Sequence, residues 1–287
     1  MSLKNDTFPM KRHWLASAFS VLPEMPDAFS ASRLSDGRKR FLAGGNQLTA
    51  IRNWLACGEV IDASGRKGVS LTDLGNVMSA QDRQAKSAVT WWLLHLHLSA
   101  NKDSFPYSAF FTTFDVDGNW ITVEDVVRRL VTAGKEQELS ESTVETYFTG
   151  VDSAFRPGEG LYGLGLIERR DVAVDGSKRR LVRRTSILTA DVMVVYATLL
   201  FQRNFFPKRT TVETRDLLAA GLARALGMKD NDLRDSLSRV HQHKDFARFL
   251  QYRRQVNLDS VQFSRQGDEA LKSVRVFAYG SGQVKWN

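Results

Sequence analysis

Two histidines stand one residue apart in His95-Leu96-His97, a spacing by which two imidazoles on a strand hold one metal ion beside a tyrosine nucleophile, here Tyr107 or Tyr147. That chemistry needs an extended backbone, where positions i and i+2 share a face. The run from Gln84 to Ala100 predicts a helix instead, and a helix points the two rings about 200° apart. His95 is therefore expected as a buried, hydrogen-bonded core residue. Asp115-Val116-Asp117-Gly118-Asn119 begins like a calcium loop, but its glycine comes two positions early and no glutamate follows at the required spacing. A turn is expected there. Asp6, Asp115, Asp117, Glu124 and Asp125 are the carboxylates a metal ion would use first. No phosphate-binding Gly-Lys loop, no G-x-S-x-G and no Cys-His pair occurs, which argues against nucleotide-driven and thiol chemistry. Cys57 is the only cysteine, so an intrachain disulfide and a cysteine-based zinc cluster are excluded.

The largest charged feature points to binding rather than bond-breaking. Between Leu164 and Ser186, two runs read as strands flank Val174-Asp175-Gly176-Ser177, where Asp-Gly supplies the positive φ angles of a tight hairpin turn. Arg169, Arg170, Lys178, Arg179, Arg180, Arg183 and Arg184 surround that turn, against Glu168, Asp171 and Asp175. A basic hairpin after a helix-turn-helix pattern is the wing of a winged-helix domain, which lays positive charge along the phosphates of double-stranded DNA. Edge strands also carry Lys and Arg to block aggregation. The cluster is more one-sided than edge protection requires, so DNA contact is the expectation.

The elements that would position these groups fall into three segments. A first winged helix is expected between Pro26 and Met78: a helix over Asp36–Leu42, a turn at Ala43-Gly44-Gly45, and a helix over Gln47–Cys57 capped by Asn46. Leu48, Ile51, Trp54 and Leu55 give that second helix an apolar face. Gln47, Thr49, Arg52 and Asn53, with Asn46, remain as candidate contacts to base edges and phosphates. Strands at Glu59–Asp62 and Val69–Leu71 flank a loop with two further candidates, Arg66 and Lys67, and Thr72 caps the next helix. Gln84–Ala100 reads as a central buried helix covered by the aromatic segment Ser104–Phe114. A helix over Ile121–Leu130 capped by Thr122, a recognition helix over Leu139–Phe155 capped by Ser140, and the basic hairpin make a second unit. The last third reads as helical over Ala190–Phe205, Val212–Leu226 and Asp232–Tyr252, with a short hairpin within Phe263–Trp286. The expected division is 1–82, 83–188 and 189–287. The expected fold class is mainly α with small β-hairpins (α+β): tandem winged-helix units plus a helical C-terminal region.

Composition agrees with an acidic partner. The 287 residues carry 40 Lys and Arg against 32 Asp and Glu, a net charge of +8, which favours nucleic acid or an anionic surface. The N-terminus lacks the apolar core of a signal peptide. The apolar run Val192–Phe201 is about half of a membrane span. A cytoplasmic protein without membrane contact is expected.

Four motifs add a resemblance over the first 100 residues. Asp6-Thr-Phe-Pro-Met-Lys-Arg-His-Trp-Leu15 is similar to H-E-T-F-x-x-R-x-x-W-L, and Ala43-Gly-Gly-Asn-Gln-Leu-Thr-Ala-Ile-Arg-Asn-Trp-Leu55 to G-x-G-K-N-x-V-x-S-I-R-x-W-L. Leu71-Thr-Asp-Leu-Gly75 resembles L-T-x-L-G, and Thr90-Trp-Trp-Leu-Leu-His95 resembles T-L-W-L-L-H. Together they resemble a family of originally unknown function found beside DNA phosphorothioation genes, that of the B component of the Ssp phosphorothioation and phage-defence system. The resemblance implies binding to DNA, and by proposal nicking, with a cysteine desulfurase, an ATPase and a reductase-like sulfur-transfer protein as partners. Mg or Mn would be the cofactor of a nickase; no other is implied. It carries over to Asp6, Phe8, Trp14, Gly44, Asn46, Ile51, Arg52, Trp54 and His95. Asn5-Asp6 stands where the family has His-Glu, and Gly45 where it has Lys. A winged-helix transcription regulator without catalytic activity is the alternative, which neighbouring desulfurase and ATPase genes would exclude. A homodimer is compatible with either reading.

Overall fold

Asp82 and Ser87 set the start of the helix that carries both histidines. The Asp82 carboxylate accepts the amides of Lys86 and Ser87 and the Thr90 hydroxyl, and the Ser87 hydroxyl accepts the amide of Val89. Residues 82–87 are thereby held as a turn, and the helix begins at Ala88 rather than at Gln84. In the computed structural model, residues 3–65, 68–174, 177–256 and 258–286 are described, with the backbone alone at Val174, Ser177 and Lys178. All thirteen residues of Ala88–Ala100 are buried, as an apolar pattern on every side of a helix requires.

The N-terminal segment holds α1 (Arg12–Val21), α2 (Leu34–Phe41), α3 (Gly45–Cys57), β1 (Ile61–Asp62) paired antiparallel with β2 (Ser70–Leu71), and α4 (Asp73–Gln81). The buried helix is α5 (Ala88–Ala100). Then come α6 (Tyr107–Thr113), β3 (Ile121–Thr122), α7 (Val123–Ala133), α8 (Glu141–Ser153), β4 (Ile167–Val174) and β5 (Ser177–Arg184). Thr72, Thr122 and Ser140 cap α4, α7 and α8 through the amides of Gly75, Asp125 and Thr143. Ile121, expected on the apolar face of α7, lies instead in β3 opposite Val182. β3, β5 and β4 form an antiparallel sheet in that order.

The last third departs from its helical expectation. After α9 (Asp191–Phe205) come β6 (Thr211–Glu213), α10 (Thr214–Ala219), α11 (Leu222–Ala225), α12 (Asp230–Gln242), β7 (Leu250–Gln255), β8 (Leu258–Phe263) and α13 (Gly267–Ser281). The expected helix Val212–Leu226 is broken at Gly221, whose φ of +89° suits only glycine, and whose Cβ would sit 2.6 Å from the Thr112 carbonyl oxygen. The expected helix Asp232–Tyr252 ends at Gln242, and its last residues form β7. The expected hairpin in Phe263–Trp286 is instead α13, whose buried Ala270, Leu271, Val274 and Ala278 recur at helical spacing. β6, β8 and β7 pair antiparallel in that order. The run α9–β6–α10/α11–α12–β7–β8 thus repeats the topology of α6–β3–α7–α8–β4–β5, with no sequence identity to announce it. One apolar cluster runs from Leu3 to Ala278 through all three segments. No helix among the described residues is long and apolar enough to cross a membrane.

Candidate nucleic-acid interface

The β4–β5 hairpin pairs Val174 with Ser177 at its tip and Ile167 with Arg184 at its base. Alternation then assigns each arginine a side. Ile167, Arg169, Val182 and Arg184 face the body of the protein, whereas Arg170, Arg179 and Arg183 face away with Glu168. The turn residues Asp175 and Gly176, and the candidates Arg66 and Lys67, lie outside the described residues, as does the Lys178 side chain.

Two expected phosphate contacts are structural. Arg184 is 2% exposed. Its guanidinium donates to the carbonyls of Leu166, Phe110, Phe111 and Arg224 and lies 4.4 Å from the Phe111 ring centroid. Burial pulls its pKa down to about 9, with the charge of Arg224 adding to the fall. Arg169 donates to Asp152 Oδ1 at 2.8 Å and to the carbonyls of Asp152 and Phe155. The Asp152 carboxylate is itself buried. These arginines tie the hairpin to α6, α8 and α11, and neither reaches a phosphate.

The outer face remains. Arg170 and Arg183 flank the Trp120 ring, 4.5 and 4.9 Å from its centroid, close enough for cation–π attraction. Arg183 also pairs with Glu168. Arg179 is exposed on this face, whereas Arg180 belongs by register to the body side, 3.5 Å from Asp152 and 3.6 Å from Asp171. Trp120 was missed by sequence reasoning. Its only signal was an aromatic residue directly after the Asp115–Asn119 turn.

The helices of the two expected units present less. The exposed positions of α8 include Glu141 and Glu145 and no Lys or Arg. Asn5 also donates to the Tyr147 carbonyl, so the N-terminal segment lies over α8. That charge and that cover count against α8 as a groove-reading helix. On α3, Gly44 rather than Asn46 is the N-cap, because the Gln47 side chain accepts the Gly44 amide at 2.7 Å. Asn46 becomes the second residue of the helix. Asn53 donates to the Lys4 carbonyl at 2.6 Å, Arg52 to the Ala63 carbonyl at 3.4 Å and Thr49 to the Gly45 carbonyl at 3.5 Å. Four of the five α3 candidates therefore make internal bonds. The motif residues share this structural character: Trp54 donates to the Phe8 carbonyl, and Trp14 and Trp54 are buried.

The histidines are likewise core residues. His95 Nε2 lies 2.7 Å from the Ala225 carbonyl, so it carries the proton and donates. Nδ1 must then accept from the Tyr107 hydroxyl, also at 2.7 Å. Burial drives the His95 pKa down to about 3. His97, on another side of α5, is equally buried, with Nε2 2.6 Å from the Tyr196 hydroxyl. Tyr107 is fully buried and its pKa is raised by burial, which unsuits it as a nucleophile. Burial also pushes the Cys57 thiol up to about 12, leaving it inert. Asp115 pairs with Arg224, Asp117 with Lys229 and the Ser186 amide, and Asp125 with Arg128. Among the described residues no three or more His, Cys, Asp or Glu side chains converge to hold a metal ion.

Residues 4–154 match the family described as a protein of unknown function, DUF4007. No curated protein matches the sequence. Among solved structures the chain is similar to a crystal structure of magnesium-bound SspB, with a TM-score of 0.72 at 18% identity over 97% of this chain and 86% of that one. A second SspB crystal structure aligns with a TM-score of 0.72 at 18% identity over 98% of this chain and 90% of that one. At that identity the likeness is one of fold.

Proposed function

This chain belongs to the DUF4007 family, and from that premise we propose that it is a DNA-binding subunit of a bacterial DNA phosphorothioation and anti-phage defence system. Its partners in this reading are double-stranded DNA and a cysteine desulfurase, an ATPase and a reductase-like sulfur-transfer protein. The SspB-like fold along nearly the whole chain supports the system, although a shared fold alone does not fix a function. The two runs of helix, strand, two helices and hairpin are read as winged-helix units, and the β4–β5 hairpin as a wing. The observation that carries DNA binding is the outward face of that hairpin, where Arg170 and Arg183 flank Trp120 and Arg179 stands exposed on the same side. Guanidinium groups on a twisted two-stranded ribbon can follow a phosphate backbone, and they carry affinity rather than sequence preference.

Arg170, Arg179 and Arg183 replaced together by Ala should weaken duplex binding alike on all sequences. The slope of log affinity against log salt should fall by about 3, near one unit for each phosphate left without its arginine. Fluorescence anisotropy on a labelled duplex from 50 to 200 mM salt reads both quantities. Unchanged affinity and slope in a folded variant would show that these arginines only protect a sheet edge. Nicking is tested on the same preparation with supercoiled plasmid in Mg²⁺, Mn²⁺ or EDTA, and the binding proposal stands apart from its outcome.

A further inference from the structure

A cavity of about 440 Å³ opens between α3, α4, α5, α9 and α13, lined by residues that include Glu59, His97, Arg203, Asp268 and Arg275. It lies outside the hairpin, and DNA binding does not use it. Glu59 reaches it from a backbone φ of +54°, a left-handed conformation that disfavours a glutamate. Arg203 closes one side by donating to both Glu59 oxygens, at 2.8 and 2.6 Å, and to Asp268 Oδ1 at 2.9 Å. The charge of Arg203 is thereby matched. That of Arg275 is not. Arg275 stands on the buried face of α13 between Val274 and Ala278, only 3% exposed. Its Nε has no hydrogen-bond partner, and no carboxylate lies within ion-pair distance of it among the described residues. A buried guanidinium with no carboxylate bonded to it is costly to a fold, unless the cavity it lines supplies an anion.

The opposite wall is suited to one. α4 starts at the cavity with Thr72, Asp73 and Leu74 on its lining. Thr72 takes the Gly75 amide, so the first-turn amides of Asp73 and Leu74 are left pointing out of the helix, at the positive end of its dipole. We propose that this cavity binds a single phosphate group, held between the Arg275 guanidinium and the N-terminus of α4. Planar paired donors on one side and backbone amides on the other match tetrahedral oxygens. Exposed Asp62 and Asp73 at the mouth oppose any anion, so the ligand is one small phosphate, whose charge a single guanidinium and a helix N-terminus can offset, and not a polyanionic duplex.

The test is thermal unfolding in potassium phosphate against potassium chloride at matched ionic strength, with adenosine 5′-monophosphate as a second arm. Phosphate should raise Tm with the logarithm of its concentration once that exceeds Kd, by about 3 °C at tenfold over Kd. A markedly tighter response to the monophosphate identifies a nucleotide as the source, and an equal or weaker one identifies free phosphate. Arg275→Met removes the unpaired charge while keeping the volume, so it should be at least as stable as wild type without phosphate and lose the phosphate response. Arg275→Lys should retain a weaker response. The duplex affinity of Arg275→Met should be unchanged, which separates this site from the hairpin. No phosphate-dependent rise of Tm over chloride in wild type, an equal rise in Arg275→Met, or an Arg275→Met protein less stable than wild type in chloride would each overturn the proposal.

Discussion

Arg184→Ala is expected to destabilise the protein by about 3–5 kcal/mol, the range for removing a buried charged group that satisfies several partners. The loss has three sources. Four carbonyls, those of Leu166, Phe110, Phe111 and Arg224, lose a donor inside the protein. The stack on Phe111 disappears, and a cavity opens at the base of the hairpin. Arg179→Ala, on an exposed position of the same strand, should stay within about 0.5 kcal/mol of wild type. Urea unfolding at neutral pH measures both. An Arg184→Ala protein within about 1 kcal/mol of wild type would show that the guanidinium is dispensable to the fold. The contrast bears on function as well. A DNA-binding defect in Arg184→Ala would follow from a loosened hairpin, and in the outer-face triple variant from the removal of positive charge that faces the phosphates.

The hairpin also shows how far sequence alone reaches. The Asp-Gly sequence signals a hairpin because its preference for positive φ is local, and the described strands pair up to Val174 and Ser177 on either side of it. Caps were legible for the same reason at Thr72, Thr122 and Ser140, where one hydroxyl answers one amide three residues on. The strand register also fixes parity, so the inward side of β4 and β5 follows from Ile167 and Val182. That inference was overridden by chemistry, since arginine at an inward position is rare enough that Arg169 and Arg184 read as surface charge. Only tertiary structure shows the carbonyls and the carboxylate that receive them. β7 and β8 were missed because Leu250 and Tyr252 alternate for one period before Arg253 and Arg254 break the pattern, and the residues before them read as one helix. The anionic demand of Arg275 was invisible, because an unpaired charge is defined by what does not surround it.

Lowering the pH should destabilise the protein through His95 before the carboxylates respond. Its folded pKa of about 3 lies below the ordinary value of 6.5, so the folded state resists protonation and the unfolded state does not. The contribution is fully present above pH 6.5 and is lost as pH falls from there toward 3. At pH 5 the loss from this group alone is about 2 kcal/mol. Glu59, held down to about 2 by His97 and Arg203 against its own burial, keeps its contribution until below its ordinary value of 4.5. The window from pH 6.5 to 5 therefore belongs to histidines. His97 and His13 are also lowered by burial and add to it, so the reading must be differential. His95→Gln keeps a donor toward the Ala225 carbonyl, does not titrate, and loses the acceptor for Tyr107. It should be less stable than wild type at pH 8 by about 1–3 kcal/mol, and its deficit should shrink by about 2 kcal/mol at pH 5. Parallel stability curves would mean that His95 is not the group that resists protonation. Convergence identifies a neutral histidine committed to Tyr107 and Ala225. Such a residue can neither ligate a metal nor shuttle a proton to a DNA strand without breaking the bonds that join α5, α6 and α11. Any nicking by this protein would then have to come from groups other than the His95–His97 pair, whose spacing first suggested it.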